Sequence, residues 1–216
     1  MRDSFADIAT LAEVDLAAQP KAYTEAMRHA YWEDKDLSAA MAIAWAGISR
    51  LLALAHKSAP EQAYELRSQA KALSYDLASF TWAGWDEPGI VITPPEARAG
   101  CAAARANLTM AKELEKGELP RARAHWLLGA HELAAGRPDD ARTNFEMAVT
   151  LAKAAGSEGA SEAKLARAFV VLTDLAASAA TEAELEAALK ELQADPDGAA
   201  LVDQVKTARV ALDIAS

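Results

Sequence analysis

Prolines and side-chain acceptors punctuate this chain at intervals of about one helix, and that punctuation limits the fold more than any other feature. Pro20, Pro120, Pro138 and Pro196 each stand near the head of a segment whose apolar residues recur at helical spacing. A proline there fixes a helical φ and gives up only an N–H that the first turn leaves unpaired. Ser58-Ala-Pro-Glu61, Thr93-Pro-Pro-Glu96 and Thr181-Glu-Ala-Glu184 carry the reciprocal capping pattern, in which hydroxyl and carboxylate each satisfy an orphan backbone donor. Heads and periodicity together predict helices over 3–17, 20–33, 36–57, 60–82, 95–116, 120–135, 138–155, 159–179, 181–193 and 197–214. Short connections make successive helices antiparallel neighbours. The expected fold class is all-α, an antiparallel helix-hairpin array of about ten helices in a single domain spanning 1–216.

Composition supports close helix packing. Hydrophobic residues make up 52% of the chain, much of it alanine, and aromatics only 6%, a balance suited to helices that approach one another closely. The net charge of −10 is spread evenly, with −5 on each side of Gly100. Such acidity repels phosphate backbones and anionic surfaces, so nucleic acid and membrane are not expected partners. The most apolar stretch, Leu37 to Ala55, is interrupted by Ser38, Ser49 and Arg50, and the first residues lack the pattern of an export signal. Cys101 is the only cysteine, which rules out an intrachain disulfide and accords with a cytoplasmic setting.

One connection is long. Residues 83–94, AGWDEPGIVITP, hold Trp85, two glycines and the run Ile90-Val91-Ile92. Two readings stand side by side: a lid over a binding groove, or a core filler whose isoleucines plug the space between helix pairs.

The segment LLGAHELAAGRPDDARTNFEMAVTLA, from Leu127 to Ala152, resembles a tetratricopeptide repeat. Gly129 and Ala141 stand twelve residues apart at the small contact positions, preceded by the large Leu128, and Phe145 and Ala148 supply the aromatic and small residues of the second helix. Gly136 and Pro138 suit the turn, while Glu132 and Lys153 stand where the family has tyrosine and proline. Met27, Tyr31, Ala40, Ala44 and Gly47 echo the same offsets, with Arg28 at a small position, and Ala72 with Tyr75 form a third, partial echo. The resemblance implies a right-handed superhelix whose first helices line a concave face, here exposing Arg123 and Trp126. Leu185, Leu189, Leu192, Leu201, Val205, Val210 and Leu212 would make 181–214 a terminal cap with Glu182 and Glu184 in solvent.

No pattern for catalysis, metal or cofactor stands out. His125 and His131 are six apart, His29 and His56 are isolated, and neither a glycine-rich phosphate loop nor a nucleophile elbow is present. Cys101 in an alanine-rich helix reads as an inert buried thiol. The most suggestive polar feature is Arg98, Arg105 and Lys112, spaced by seven on one helix, a stripe that drifts only about 20° per heptad. Arg121 and Arg123 follow, so that 98–142 carries eight basic and six acidic residues. The stripe suits an acidic peptide or a chain-terminal carboxylate; alternatively it balances Glu113 and Glu115 on a solvated face. Trp85 and Trp126 are the aromatic candidates for a partner groove.

The expected function is a non-catalytic protein- or peptide-binding scaffold or adaptor, possessing no catalytic residues, metal or cofactor. The alternative is a small-molecule-binding or enzymatic helical protein closed by the 83–94 loop. Self-association into a homo-oligomer through an unpaired terminal helix face is a third reading.

Overall fold

The computed structural model describes residues 4–15 and 17–214, and these contain α-helices and short 3-10 turns but no strand. The helices are α1 (Ser4–Glu13), α2 (Gln19–Trp32), α3 (Leu37–Ala55), α4 (Pro60–Phe80), α5 (Pro94–Glu113), α6 (Glu118–Ala134), α7 (Pro138–Ala154), α8 (Ala160–Ala176), α9 (Glu182–Gln193) and α10 (Gly198–Ala211), with 3-10 turns at Ala83–Trp85 and Gly156–Gly159. The all-α expectation therefore holds. The predicted first helix is too long at its C-terminal end, and its positions 3 and 16 lie outside the described residues.

Most helix heads lie where the residues place them. Thr93 and Thr181 form complete capping boxes with Glu96 and Glu184, and prolines open α4, α5 and α7. Ser58 departs from expectation: its hydroxyl donates to the Leu54 carbonyl at 2.9 Å, closing α3 rather than opening α4. Pro120 lies inside the first turn of α6, and Pro196 precedes α10 by two residues. The capping contacts act on charge as well. Hydrogen bonds from the Thr181 backbone and hydroxyl hold the Glu184 carboxyl below its ordinary value. Asp195 is lowered likewise, first by its hydrogen bond with Lys164 and then by Ser161.

The backbone groups into two compact units, Met1–Thr81 with Gly89–Leu114, and Trp82–Pro88 with Glu115–Ser216. In the first, α2, α3, α4 and α5 pack in succession. Gly47 on α3 permits the close approach: a Cβ there would lie 2.9 Å from both Leu73 Cδ1 and Tyr23 Cγ. Tyr23, Met27, Tyr31, Ile43, Leu51, Leu73 and Leu77 fill the core. Tyr31 stacks on Phe80 with centroids 3.9 Å apart. Asn107 of α5, fully buried, donates to the Lys71 carbonyl of α4 at 2.7 Å. Arg28, at a position where the resemblance wants a small residue, points outward and pairs with Asp76 at 2.8 Å. Among the described residues α3 is the one helix long and apolar enough to cross a membrane. Core helices share that composition, and Ile43, Ala44, Ile48 and Leu51 are buried in a helix flanked by α2 and α4.

In the second unit α6, α7 and α8 pack in succession, followed by α9 and α10. Gly129 lies against its partner helix: a Cβ there would stand 3.0 Å from the Phe145 ring and 3.1 Å from the Ala141 carbonyl. The long connection is divided between the units. Its first part, 82–88, belongs here, and Trp82, 1% exposed, donates its indole N–H to the Ala130 carbonyl at 3.0 Å. Gly84 is obligatory beneath that ring, since a Cβ would meet Trp82 Cζ2 at 2.2 Å. The second part belongs to the first unit, and there the core-filler reading fails for the residues that suggested it. Val91 is 82% exposed, and Ile90 and Ile92 are half-buried.

The terminal pair also differs in detail from expectation. Leu185, Leu192, Val202 and Val205 are buried, but Val210 is 77% exposed. Glu182, expected in solvent, accepts from Arg209 Nη1 at 2.8 Å.

Candidate functional site

Helix α5 turns one face inward through Gly100, Cys101, Ala103, Ala104, Asn107, Leu108 and Ala111. The heptad-spaced Arg98, Arg105 and Lys112 therefore lie on its outer face, and all three are exposed. Arg98 and Lys112 make no ion pair among the described residues, whereas Arg105 is engaged in an interaction of its own. Of the two carboxylates that the alternative sets against the stripe, Glu113 is paired with Arg67 of α4, while Glu115 is exposed. Arg98 and Lys112, which make no ion pair among the described residues, are thus the two cations of the stripe that stand open to solvent.

The other candidates lie in the second unit and are differently placed. Arg123 is exposed, but its Nε donates to Glu162 of α8 at 3.2 Å. Trp126 is 7% exposed and does not line an open face. Its ring packs against Trp82 (centroids 5.4 Å), Phe169 (5.2 Å) and Trp85 (6.3 Å), so Trp126 and the half-buried Trp85 are core rings around the Trp82 plug. The resemblance implied an exposed Trp126 on a concave face; the inserted Trp82 segment covers it. Trp126 Nε1 is buried without a hydrogen-bond partner. Of the six residues, Arg98, Arg105 and Lys112 lie on α5 in the first unit, and Arg123, Trp126 and Trp85 belong to the second.

The titratable groups show structural roles. His125 Nδ1 lies 2.9 Å from Asn144 Oδ1, and Asn144 Nδ2 donates to the Asp140 carbonyl at 3.0 Å. Glu132, buried at the end of α6, is met by the Arg137 guanidinium from the following turn. Among the described residues no cluster of three or more His, Cys, Asp or Glu could hold a metal ion.

A cleft that the sequence did not suggest opens in the second unit. It encloses about 920 Å³ where the C-terminal ends of α6, α8 and α10 meet beside Ala83 and Pro138. Leu133, Leu175, Leu212 and Ile214 form its apolar wall, and among the described residues of the lining Asp213 alone is charged. Ala83 at its edge means that the 83–94 connection contributes wall, not a closed lid. The signal for it was weak because only one of the three helix ends carries a glycine. Gly136, Ser178 and Asp213 all take left-handed conformations, with φ of 69°, 56° and 52°, a geometry that sequence announces only for glycine.

Comparison with family models, with curated proteins and with solved structures finds no match for this chain.

Proposed function

We propose that this protein is a non-catalytic scaffold that holds an acidic segment of a partner protein along the outer face of α5. The observation that carries the reading is the exposed Arg98, Arg105 and Lys112 stripe, with neighbouring Glu113 already committed to Arg67. Guanidinium groups repeated along one helix suit carboxylates repeated along an extended or helical peptide, and charge-assisted hydrogen bonds supply the affinity. The contact of Gly129 with Ala141 and Phe145 supports the likeness to tetratricopeptide repeats, a family whose helix pairs present surfaces to peptides.

The test is a fluorescence-anisotropy titration with a glutamate-rich peptide against the native chain and a variant combining R98E, R105E and K112E. All three positions are exposed, so circular dichroism should be unchanged. Binding should fall by at least about tenfold in the variant, and added salt should weaken the native complex. Equal affinity of the two proteins would remove α5 as the docking face.

A second reading, a helical protein that binds a small molecule, is favoured by the cleft at the ends of α6, α8 and α10.

A further inference from the structure

We infer that the cleft of the second unit is a binding site for a primary alkylammonium ion of low molecular weight. The inference goes beyond the α5 reading and does not depend on it, because α5 belongs to the other unit.

Three helices end at this cleft in the same way. In α6 the carbonyls of His131, Glu132 and Leu133 accept from Ala135, Arg137 and Gly136 at 3.0, 2.9 and 3.0 Å. In α8 those of Thr173, Asp174 and Leu175 accept from Ala177, Ala179 and Ser178 at 3.1, 2.7 and 2.9 Å. In α10 those of Ala208, Arg209 and Val210 accept from Leu212, Ile214 and Asp213 at 3.0, 3.1 and 3.1 Å. Each end is therefore a Schellman motif, which satisfies three carbonyls and leaves the next one over. Ala134 and Ala176 hold those leftover carbonyls in α6 and α8; neither accepts a backbone hydrogen bond, and both residues line the cleft.

Two sources of negative charge lie at this place. Each helix end carries about half a negative charge from its aligned peptides, and the Asp213 carboxylate adds to it. No lysine or arginine is among the described lining residues, and Arg137, between the lining Gly136 and Pro138, is paired with Glu132 and Asp140. Arg209, at the end of α10, is committed to Glu182 and to the Ile214 carbonyl. The positive N-terminal end of α7 also opens here through Pro138, but Asp139 and Asp140 occupy its first turn.

A cleft whose lining includes two residues with carbonyls left over from helix ends, one carboxylate-bearing residue, and leucines and an isoleucine matches one chemistry. An ammonium group donates to the carbonyls, and an attached alkyl chain covers the wall. A quaternary ammonium lacks the donors, a carboxylate is repelled, and a neutral alcohol forgoes the charge-assisted part of the contact.

The decisive experiment is an NMR titration of the full chain with n-hexylammonium, n-hexanol and n-hexanoate. Hexylammonium should shift amide signals of residues 133–136, 175–180 and 211–214 in a saturable manner, with affinity at least about tenfold above that of hexanol, one charge-assisted hydrogen bond's worth. Hexanoate should shift none of them. Ala176→Lys places an intramolecular cation at a helix C-terminus, where it favours the fold, and should abolish the response. Asp213→Asn keeps a residue that tolerates the left-handed conformation and should weaken binding severalfold, which preserves the test should the lysine variant misfold. Equal affinity for hexanol, shifts scattered over the acidic surface, or unchanged binding by both variants would overturn the assignment.

Discussion

Gly47 in the first unit and Gly129 in the second perform the same task, letting two helices approach until backbone and ring meet, yet the units complete their cores differently. The first closes with its own helices: Tyr23 and Leu73 cover Gly47, and buried Asn107 ties α5 to the α4 backbone. The second takes its most deeply buried tryptophan from outside its helices, with Trp82 entering from an irregular segment and hydrogen-bonding the α6 carbonyl of Ala130. Small residues at fixed intervals thus establish that helices nest, but not what fills the space left beside them. A space bounded by Trp126 and Phe169 needs a large flat group, and the nearest one in the chain arrives on a turn, not on a helix.

The largest effect expected from this difference comes from Trp82→Ala. Emptying a site that is 1% exposed should cost about 3–5 kcal/mol. Hydrogen exchange should show amides of α6 to α8 losing protection while those of α2 to α5 keep theirs. Uniform loss in both units would mean that they unfold as one, and no loss would show the ring to be dispensable.

The glycines give the next effect and separate the units directly. Gly47→Ala should destabilise the first unit and Gly129→Ala the second, each by about 1–3 kcal/mol of overpacking, offset by about 1 kcal/mol of improved helix propensity. The two changes should cost comparably, since the nearest atoms stand at 2.9 Å at Gly47 and 3.0 Å at Gly129. Denaturant midpoints of the two variants, with exchange in α3 and in α6, check that each loss is confined to its own unit; loss of protection in the other unit would mean that the two unfold together.

The smallest effect is a difference in pH response. Glu184 and Asp195, both in the second unit, have lowered folded-state pKa values. The stability they contribute is present above about pH 4, the ordinary carboxylate range, and is lost as pH falls through the lowered values. Burial raises the Tyr23 phenol in the first unit, with Arg50 opposing in part. Its contribution is present below about pH 10 and is lost as pH rises through the raised value. Exchange protection should accordingly fail first around α9 on acidification and first around α2 in alkali. Thr181→Ala should reduce the acid sensitivity of α9, since it removes a hydrogen bond that favours the Glu184 carboxylate.

Much of this was legible before any coordinates. Thr93 with Glu96 and Thr181 with Glu184 act within four residues, so their capping geometry follows from local chemistry alone. Gly129, Ala141 and Phe145 were readable because a helix hairpin turns regular spacing into contact. Within the candidate site, the exposure of Arg98, Arg105 and Lys112 followed from helical periodicity, because the alanines between them mark the inner face. Trp126 was misread for the opposite reason: whether its face is open depends on Trp82, some forty-four residues earlier in the chain.

The order of elements, their heads and the faces they bury were determined by the sequence itself, because hydrogen bonds within one helix and contacts between consecutive helices involve neighbours along the chain. Tertiary structure alone decided the division of residues 82–94 between two units, the covering of Trp126 and the meeting of three helix ends around a cleft. Those outcomes turn on which distant surfaces exclude water together, and on left-handed turns at Ser178 and Asp213 that no local rule requires.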